Sequence, residues 1–236
     1  MFTTLLVQPI YNAFIFLLGI MPGGDVGLAI IAVTLLVRVI FFPMFASSIR
    51  TQMALQVVQG ELAEINERYK DDTLERSRRT AELFTKHKIR PFAMIFSTIV
   101  QVAVFIALSY VFFRIGLSHV RADLLYPFVH APSVISERMF GFIDLTATHS
   151  VITGIVVALL QFGAMYLTLA RTAAATAHLK PEQKQMQEMQ RRMMLYMLPV
   201  MMAFIGYSFP VAVGVYVMVT SAVSILQELY FKHKPL

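Results

Sequence analysis

The sequence contains no cysteine and no tryptophan. The first absence excludes disulfides, thiolate metal sites and cysteine nucleophiles. The second removes the strongest interfacial anchor and leaves tyrosine and phenylalanine for that role. Charge is scarce as well: 14% of the 236 residues are Asp, Glu, Lys or Arg and 57% are hydrophobic, against about 25% and roughly 45–50% in soluble domains. With a mean hydropathy of +0.66, the composition argues against a soluble globular domain. No H-E-x-x-H, no S-x-x-K, no ATP motif and no intramembrane carboxylate pair occurs, and His87, His119, His130, His149, His178 and His233 fall in loops or at the edges of apolar runs. An intramembrane hydrolase or proton pump lacks its parts, so no catalytic residue, metal or cofactor is expected. The net charge of +6 is not read as a nucleic-acid signal, because where the bases lie matters more than their sum.

What is present is a set of apolar runs, each about the length needed to cross a bilayer core of about 30 Å. They predict spans at 27–46, 92–113, 150–170, 193–208 and 211–231. In lipid every backbone polar group needs a partner within its own segment, and no barrel-like alternation is seen, so the spans are expected to be helices. Lys and Arg number nine in 47–91, five in 171–192 and two after residue 231, whereas the other side carries only Arg114, Arg121 and Arg138. The positive-inside bias then makes the first set cytoplasmic, with the N-terminus outside and the C-terminus inside. The fold class expected is an all-α membrane protein: a five-transmembrane-helix bundle (core 27–236) with a cytoplasmic helical hairpin (47–91) and an N-terminal interfacial helix (1–26).

Residues 1–21 are uncharged and interrupted by Pro9 and Asn12. A cleaved signal lacks a basic n-region and a small-residue cleavage site, and a sixth span lacks a basic flank. An amphipathic helix along the outer leaflet is the preferred reading. In 47–91, Ile49, Met53, Val57, Val58, Leu62, Ile65 and Tyr69 form a stripe at helical spacing, and Asp72 with Glu75 predicts a cap that restarts a helix. The hairpin reads equally as a solvated spacer or as a docking platform.

One residue is out of place. Arg38 lies ten positions beyond Leu28 in an apolar run, about 15 Å along a helix. Such a charge costs roughly 2.5–3.5 kcal/mol on insertion scales and cannot be removed by deprotonation. No Asp or Glu lies in the middle of any predicted span, and Glu228 sits near the end of the last one. Snorkelling to the headgroups is the bland alternative; the sharper one is a water-filled cavity open to the cytoplasm, in which the charge has no internal counter-ion. Thr34, Gln101, Gln161, Tyr216, Thr220 and Ser221 are the polar residues expected to line it with Arg38. A cluster of Met186, Met189, Met193, Met194, Met197, Met201 and Met202 suits either an adaptable apolar surface or plain packing.

These residues fall in an order that resembles the YidC family of membrane protein insertases, with its mitochondrial oxidase-assembly and thylakoid relatives. Gln8-Pro9-Ile10-Tyr11 is similar to the family's stretch before its interfacial helix, Thr34 to Arg38 with Pro43 to its first core span, and Gln101 with Phe105, Ala107, Leu108 and Tyr110 to the second. Phe142 to Leu145 resembles the outer segment before the third, and Met197-Leu198-Pro199, Phe209-Pro210, Tyr216, Ser224 and Gln227 resemble the final pair. Ala103 stands where the family usually has proline, Val211-Ala212 where it has a Ser-Gly pair, and Val217 where a second tyrosine is common. The large periplasmic domain and the long basic tail of some members are not expected here.

The resemblance implies a non-enzymatic insertase of a bacterial inner membrane, whose groove attracts the short, often acidic, outer region of a substrate. It also implies nascent membrane proteins and the lipid bilayer as partners, the ribosome and Sec translocon as further candidates, and no specific nucleic acid sequence. A small-anion transporter or lipid scramblase using the same arginine is the alternative.

Overall fold

The computed structural model describes residue 4 and residues 7–112, 120–175 and 181–232. Phe113, Arg114, His119, His178, Lys180, His233 and Lys234 lie outside the described residues, as do positions 1–3, 5 and 6 of the predicted interfacial segment. The described residues form helices α1 (Gln8–Ile20), α2 (Val26–Ile40), α3 (Phe42–Val57), α4 (Gln59–Arg68), α5 (Thr73–Lys86) and α6 (Pro91–Tyr110). A small hairpin of β1 (Arg138–Met139) and β2 (Ile143–Asp144) follows, then α7 (Val151–Ala175), α8 (Pro181–Ser208) and α9 (Val211–Lys232).

By length and composition, α6, α7 and α9 are each able to cross a membrane, and the α2–α3 pair passes the same test as one broken span. The run 27–46, predicted as a single span, is instead split at Phe41, where α2 and α3 meet at 68°. Pro43 explains the break: it has no N–H to donate to the carbonyl four residues back, and its ring clashes there, so it is tolerated only in the first turn of a new helix. The run 193–208 is the second half of α8, which begins at Pro181. Gln, Glu, Lys, Arg and Met favour helix, so the polar stretch before the apolar run joins it.

At 13 residues, or about 20 Å, α1 is too short to cross the bilayer. Its Tyr11, Phe14, Ile15 and Leu18 are buried while Phe16 and Ile20 face outward. Asn12 fastens it to the segment before the hairpin: its Nδ2 donates to the Leu124 carbonyl at 2.8 Å and its Oδ1 accepts from the Tyr126 N–H at 2.6 Å.

Helices α4 and α5 form a helical hairpin, shorter than the 47–91 expected, because the stripe from Ile49 to Tyr69 is divided between α3 and α4. Asp72 Oδ1 accepts from the N–H groups of Leu74 and Glu75, supplying the cap, and Glu75 pairs with Arg79 at 2.9 Å. A satellite core of Ala54, Val58, Leu83 and Ile89 holds the pair to α3.

The main core is confined to the end of the bundle at which α2, α7 and α9 begin, taken as the top. Phe14 and Leu18 of α1, Ile30 and Val33 of α2, Val104 and Leu108 of α6, and Ala212 and Val215 of α9 interlock there with Leu145. Small residues let α7 and α8 approach: a Cβ on Gly154 would come within 3.0 Å of the Ala203 carbonyl.

Candidate functional site

Below that packed end the bundle is hollow. A partly open cavity of about 490 Å³ is walled by all the helices from α2 to α9 except α4 and α5. At about 30 Å³ per molecule, that volume accommodates on the order of fifteen waters.

Arg38 sits in the last turn of α2 and lines this space, 8% exposed. Its guanidinium is held by a fork of neutral acceptors. Nη1 donates to Gln227 Oε1 at 3.1 Å. Nη2 reaches Ser224 Oγ at 3.1 Å, and Gln101 Oε1 and the Thr220 carbonyl at 3.3 Å each. The break at Phe41 swings α3 so that the Phe45 ring lies 4.5 Å from the guanidinium carbon, a cation–π contact. Gln101 is aimed by its own amide, which donates to the Tyr216 hydroxyl at 3.0 Å.

The expected absence of any internal partner for Arg38 is therefore corrected. The compensation is a set of side-chain and carbonyl oxygens from α6 and α9, none charged, so the bonds hold the cation without cancelling its charge. Arg38 is the one cation among the described residues that line the cavity, and Glu228 the one carboxylate. Glu228, read from the sequence as lying near the end of its span, is 7% exposed and accepts from the Thr168 hydroxyl at 3.2 Å.

Gln101, Gln161, Tyr216, Thr220 and Ser221 all line the cavity with Arg38. Gln161 and Ser221 bond each other at 3.0 Å across α7 and α9. Thr34 does not join them: its hydroxyl donates to the Ile30 carbonyl at 2.7 Å, and it faces a separate pocket of about 10 Å³ beside Arg38. Of the methionine cluster, Met202 reaches the cavity, while Met189, Met193, Met194, Met197 and Met201 are exposed on α8. The side chain of Met186 is outside the described set.

Ser224 and Gln227 were legible as ligands of Arg38. With Tyr216 and Thr220 they repeat at intervals of three or four along α9, which places them on one face. Ser48 and Gln52 of α3 and Ser97 and Thr98 of α6 also line the cavity, and Ser97 Oγ donates to Ser48 Oγ at 3.0 Å.

The fold and this site define a polytopic helical membrane protein that keeps a buried cation within its helix bundle. Sequence comparison narrows the class: the family described as 60Kd inner membrane protein matches residues 18–235, and the chain belongs to that family, the YidC membrane protein insertases. It is 27% identical over 208 residues to the membrane protein insertase YidC of Geobacter sulfurreducens, covering 88% of this chain and 34% of the relative. Against that of Streptomyces avermitilis it is 26% identical over 230 residues, covering 90% of this chain and 52% of the relative. Against that of Brucella suis it is 31% identical over 134 residues, covering 56% and 22%. The chain thus spans between about a fifth and a half of the length of these relatives. All three are named as insertases, and none carries an enzymatic, transporter or scramblase name.

Proposed function

We propose that this chain is a membrane protein insertase and works without bond chemistry. The cavity is its hydrophilic groove, open to the cytoplasm and to lipid, with Arg38 as the positive charge that attracts the polar outer region of an incoming segment. Arg38, Gln101, Gln161, Tyr216, Thr220 and Ser221 are the proposed groove residues, with Thr34 packing beside them and Ser224 and Gln227 positioning the guanidinium. In this reading the spans number five, the α8 half 193–208 included. The N-terminus is outside, the C-terminus and 47–91 are cytoplasmic, α1 lies along the outer leaflet, and the membrane is a bacterial inner membrane. The domain division is 1–26 and 27–236.

The observation that carries the proposal is the contrast between the two halves of the bundle. The top is a packed apolar core; below it the bundle is hollow, and its mostly apolar walls carry a strip of polar side chains from α3, α6, α7 and α9 around a cation held by neutral oxygens. A polar segment entering from below meets polar partners up to about 18 Å from the start of α2, since Arg38 is twelve residues after Val26. Only the packed upper part then remains to be crossed. α6 packs on α3, α1 and α9, and the cavity lies between it and α7 with α8, which supports a sideways exit for the apolar helix. With no nucleotide motif in the sequence, the drive is apolar partitioning into lipid, aided by the membrane potential at about 2.3 kcal/mol per charge per 100 mV. Nascent membrane proteins and lipid are the partners; the ribosome and the Sec translocon are further proposed ones.

The test is site-specific photocrosslinking of a stalled nascent membrane protein. A photoreactive residue at Met202 or Val102, which line the cavity, is expected to capture the chain. The same group at Phe16, exposed on α1, is expected to capture far less. Equal capture at all three sites contradicts the groove.

A further inference from the structure

The segment between α6 and α7 ends in a hairpin whose tip is apolar and uncovered. Its three-residue turn is Phe140-Gly141-Phe142, with Met139 paired to Ile143 and Arg138 to Asp144. The two phenylalanines are 58% and 75% exposed, and their rings stack at 6.3 Å. A Cβ added to Gly141 would meet nothing within 4 Å, so the turn stands clear of the bundle. Arg138 and Asp144 at its base are exposed too, while Met139 is buried. The hairpin therefore runs from a charged base to an apolar tip.

Its height is fixed by hydrogen bonds to the first residues of the spans. Val26 N–H donates to the Ser136 carbonyl at 3.1 Å, Val211 N–H to the Ala147 carbonyl at 2.9 Å and Ala212 N–H to the Leu145 carbonyl at 3.0 Å. Ser150 Oγ accepts from the Thr153 N–H at the start of α7. The hairpin is thus tied to the first residues of α2 and α9, and the start of α7 beside its C-terminal strand also presents apolar side chains outward at Val151, Ile152 and Ile155. A phenylalanine ring carries no polar group, so two exposed at one turn gain by leaving water for the acyl side of the headgroup–acyl boundary.

The turn is also held in a strained backbone. Phe140 has φ of 54°, a region that side chains rarely adopt and that persists where its surroundings enforce it. The enforcing group is Asp25: its Oδ2 accepts from the Phe140 N–H at 2.7 Å while its Oδ1 caps α2 through the Leu28 N–H at 3.1 Å. One carboxylate joins the aromatic tip to the helix that carries Arg38.

We propose that the Phe140-Gly141-Phe142 tip is a lipid anchor, seated in the headgroup–acyl boundary of the leaflet at which α2, α7 and α9 begin, and that through Asp25 it sets the depth of Arg38. Arg38 is thirteen residues below Asp25, or about 20 Å along the helix, which leaves about 10 Å of a 30 Å core beneath it. This needs only the membrane location and is independent of the insertase reading.

The absence of tryptophan makes the test clean, since Phe142→Trp puts a single tryptophan, excited apart from the nine tyrosines at long wavelength, into the full chain. The protein is reconstituted in phosphatidylcholine vesicles whose acyl chains carry bromine either near the headgroup or near the chain end. Phe142→Trp is expected to be quenched at least about twofold more by shallow than by deep bromine, as for a group in the boundary layer, and Ile99→Trp on the exposed face of α6 in the opposite order. Water-like, unquenched emission overturns the anchor, as does blue-shifted but unquenched emission, which means that protein, such as a second copy, covers the tip. For the depth claim, Val39→Trp, beside Arg38 and 72% exposed, reports the position of α2. Its quenching profile is expected to shift when Phe140→Ser and Phe142→Ser are added, and an unchanged profile overturns the link.

Discussion

Replacing Arg38 separates charge from fork. A carboxylate brought to about 6 Å from the guanidinium, at an effective dielectric of about 20, is attracted by about 2.8 kcal/mol, equivalent to about a hundredfold in an equilibrium. Arg38→Ala should therefore cost up to that factor for substrates with acidic outer regions and only a few-fold for neutral ones. Arg38→Lys keeps the charge but has three donors on one nitrogen where the structure presents four acceptors in a fork. Losing one such charge-assisted bond costs about 1.5–3 kcal/mol, so Arg38→Lys should be less stable yet retain most activity toward acidic substrates. The assay is insertion of paired test proteins differing only in the charge of the translocated region, with thermal unfolding of each variant measured in parallel. Added salt should weaken the acidic preference only modestly, because a partly buried charge is screened less than an exposed one. Equal losses on acidic and neutral substrates, together with loss of folding in Arg38→Ala, would refute the reasoning and leave Arg38 as a structural tie between α2, α6 and α9.

Other outcomes follow from particular contacts. Asn12→Leu leaves the Leu124 carbonyl and the Tyr126 N–H without their partner, each at about 1–3 kcal/mol when buried; a fall in melting temperature with faster proteolysis within 120–130 checks it. Asp72→Ala removes the cap of α5 for about 1 kcal/mol, seen as faster hydrogen exchange at Leu74 and Glu75. Gly214→Val drives a side chain into Thr153, whose hydroxyl is held by Ser150 at 2.8 Å; overpacking of this kind costs about 1–3 kcal/mol and should separate α7 from α9, read as a lower melting temperature. The Thr146 hydroxyl and N–H hold the Asp144 carboxyl below the usual carboxylate range. A depressed folded value stabilises above the unfolded value of about 3.9 and loses that effect as pH falls through the folded one. Protection of the Thr146 amide should thus be flat between about pH 5 and 8 and decline below about pH 4, and Asp144→Asn should abolish the decline.

The helical membrane fold was legible because uninterrupted apolar runs leave little alternative in lipid; α6, α7 and α9 follow their runs closely. The break in the first span was legible too, since Pro43 can neither donate nor accommodate the preceding turn, but hydropathy alone passes over it. That oversight hid α3, which runs across the predicted boundary between the span and the hairpin and brings Phe45, Ser48 and Gln52 to the cavity. Arg38 stood out because charge in an apolar run is costly. Its partners were harder to find because attention to carboxylates misses neutral oxygens, although the Tyr216, Thr220, Ser224 and Gln227 stripe lay on one face of α9. Thr34, one turn before Arg38, shares its helix face, yet its hydroxyl is used by the backbone. The height of the hairpin depends on backbone bonds between segments more than a hundred residues apart, such as Val26 with Ser136, which no local pattern encodes.

The most direct measurement is insertion of a single-span test protein, with its N-terminus to be translocated, into proteoliposomes containing purified chain and lipid alone. Protection of the translocated end from added protease should rise with the amount of this chain. It should proceed without nucleotide and should fall for acidic test proteins when Arg38→Ala replaces the natural residue. Protection no greater than in protein-free liposomes would contradict the claim that this chain inserts membrane proteins by itself.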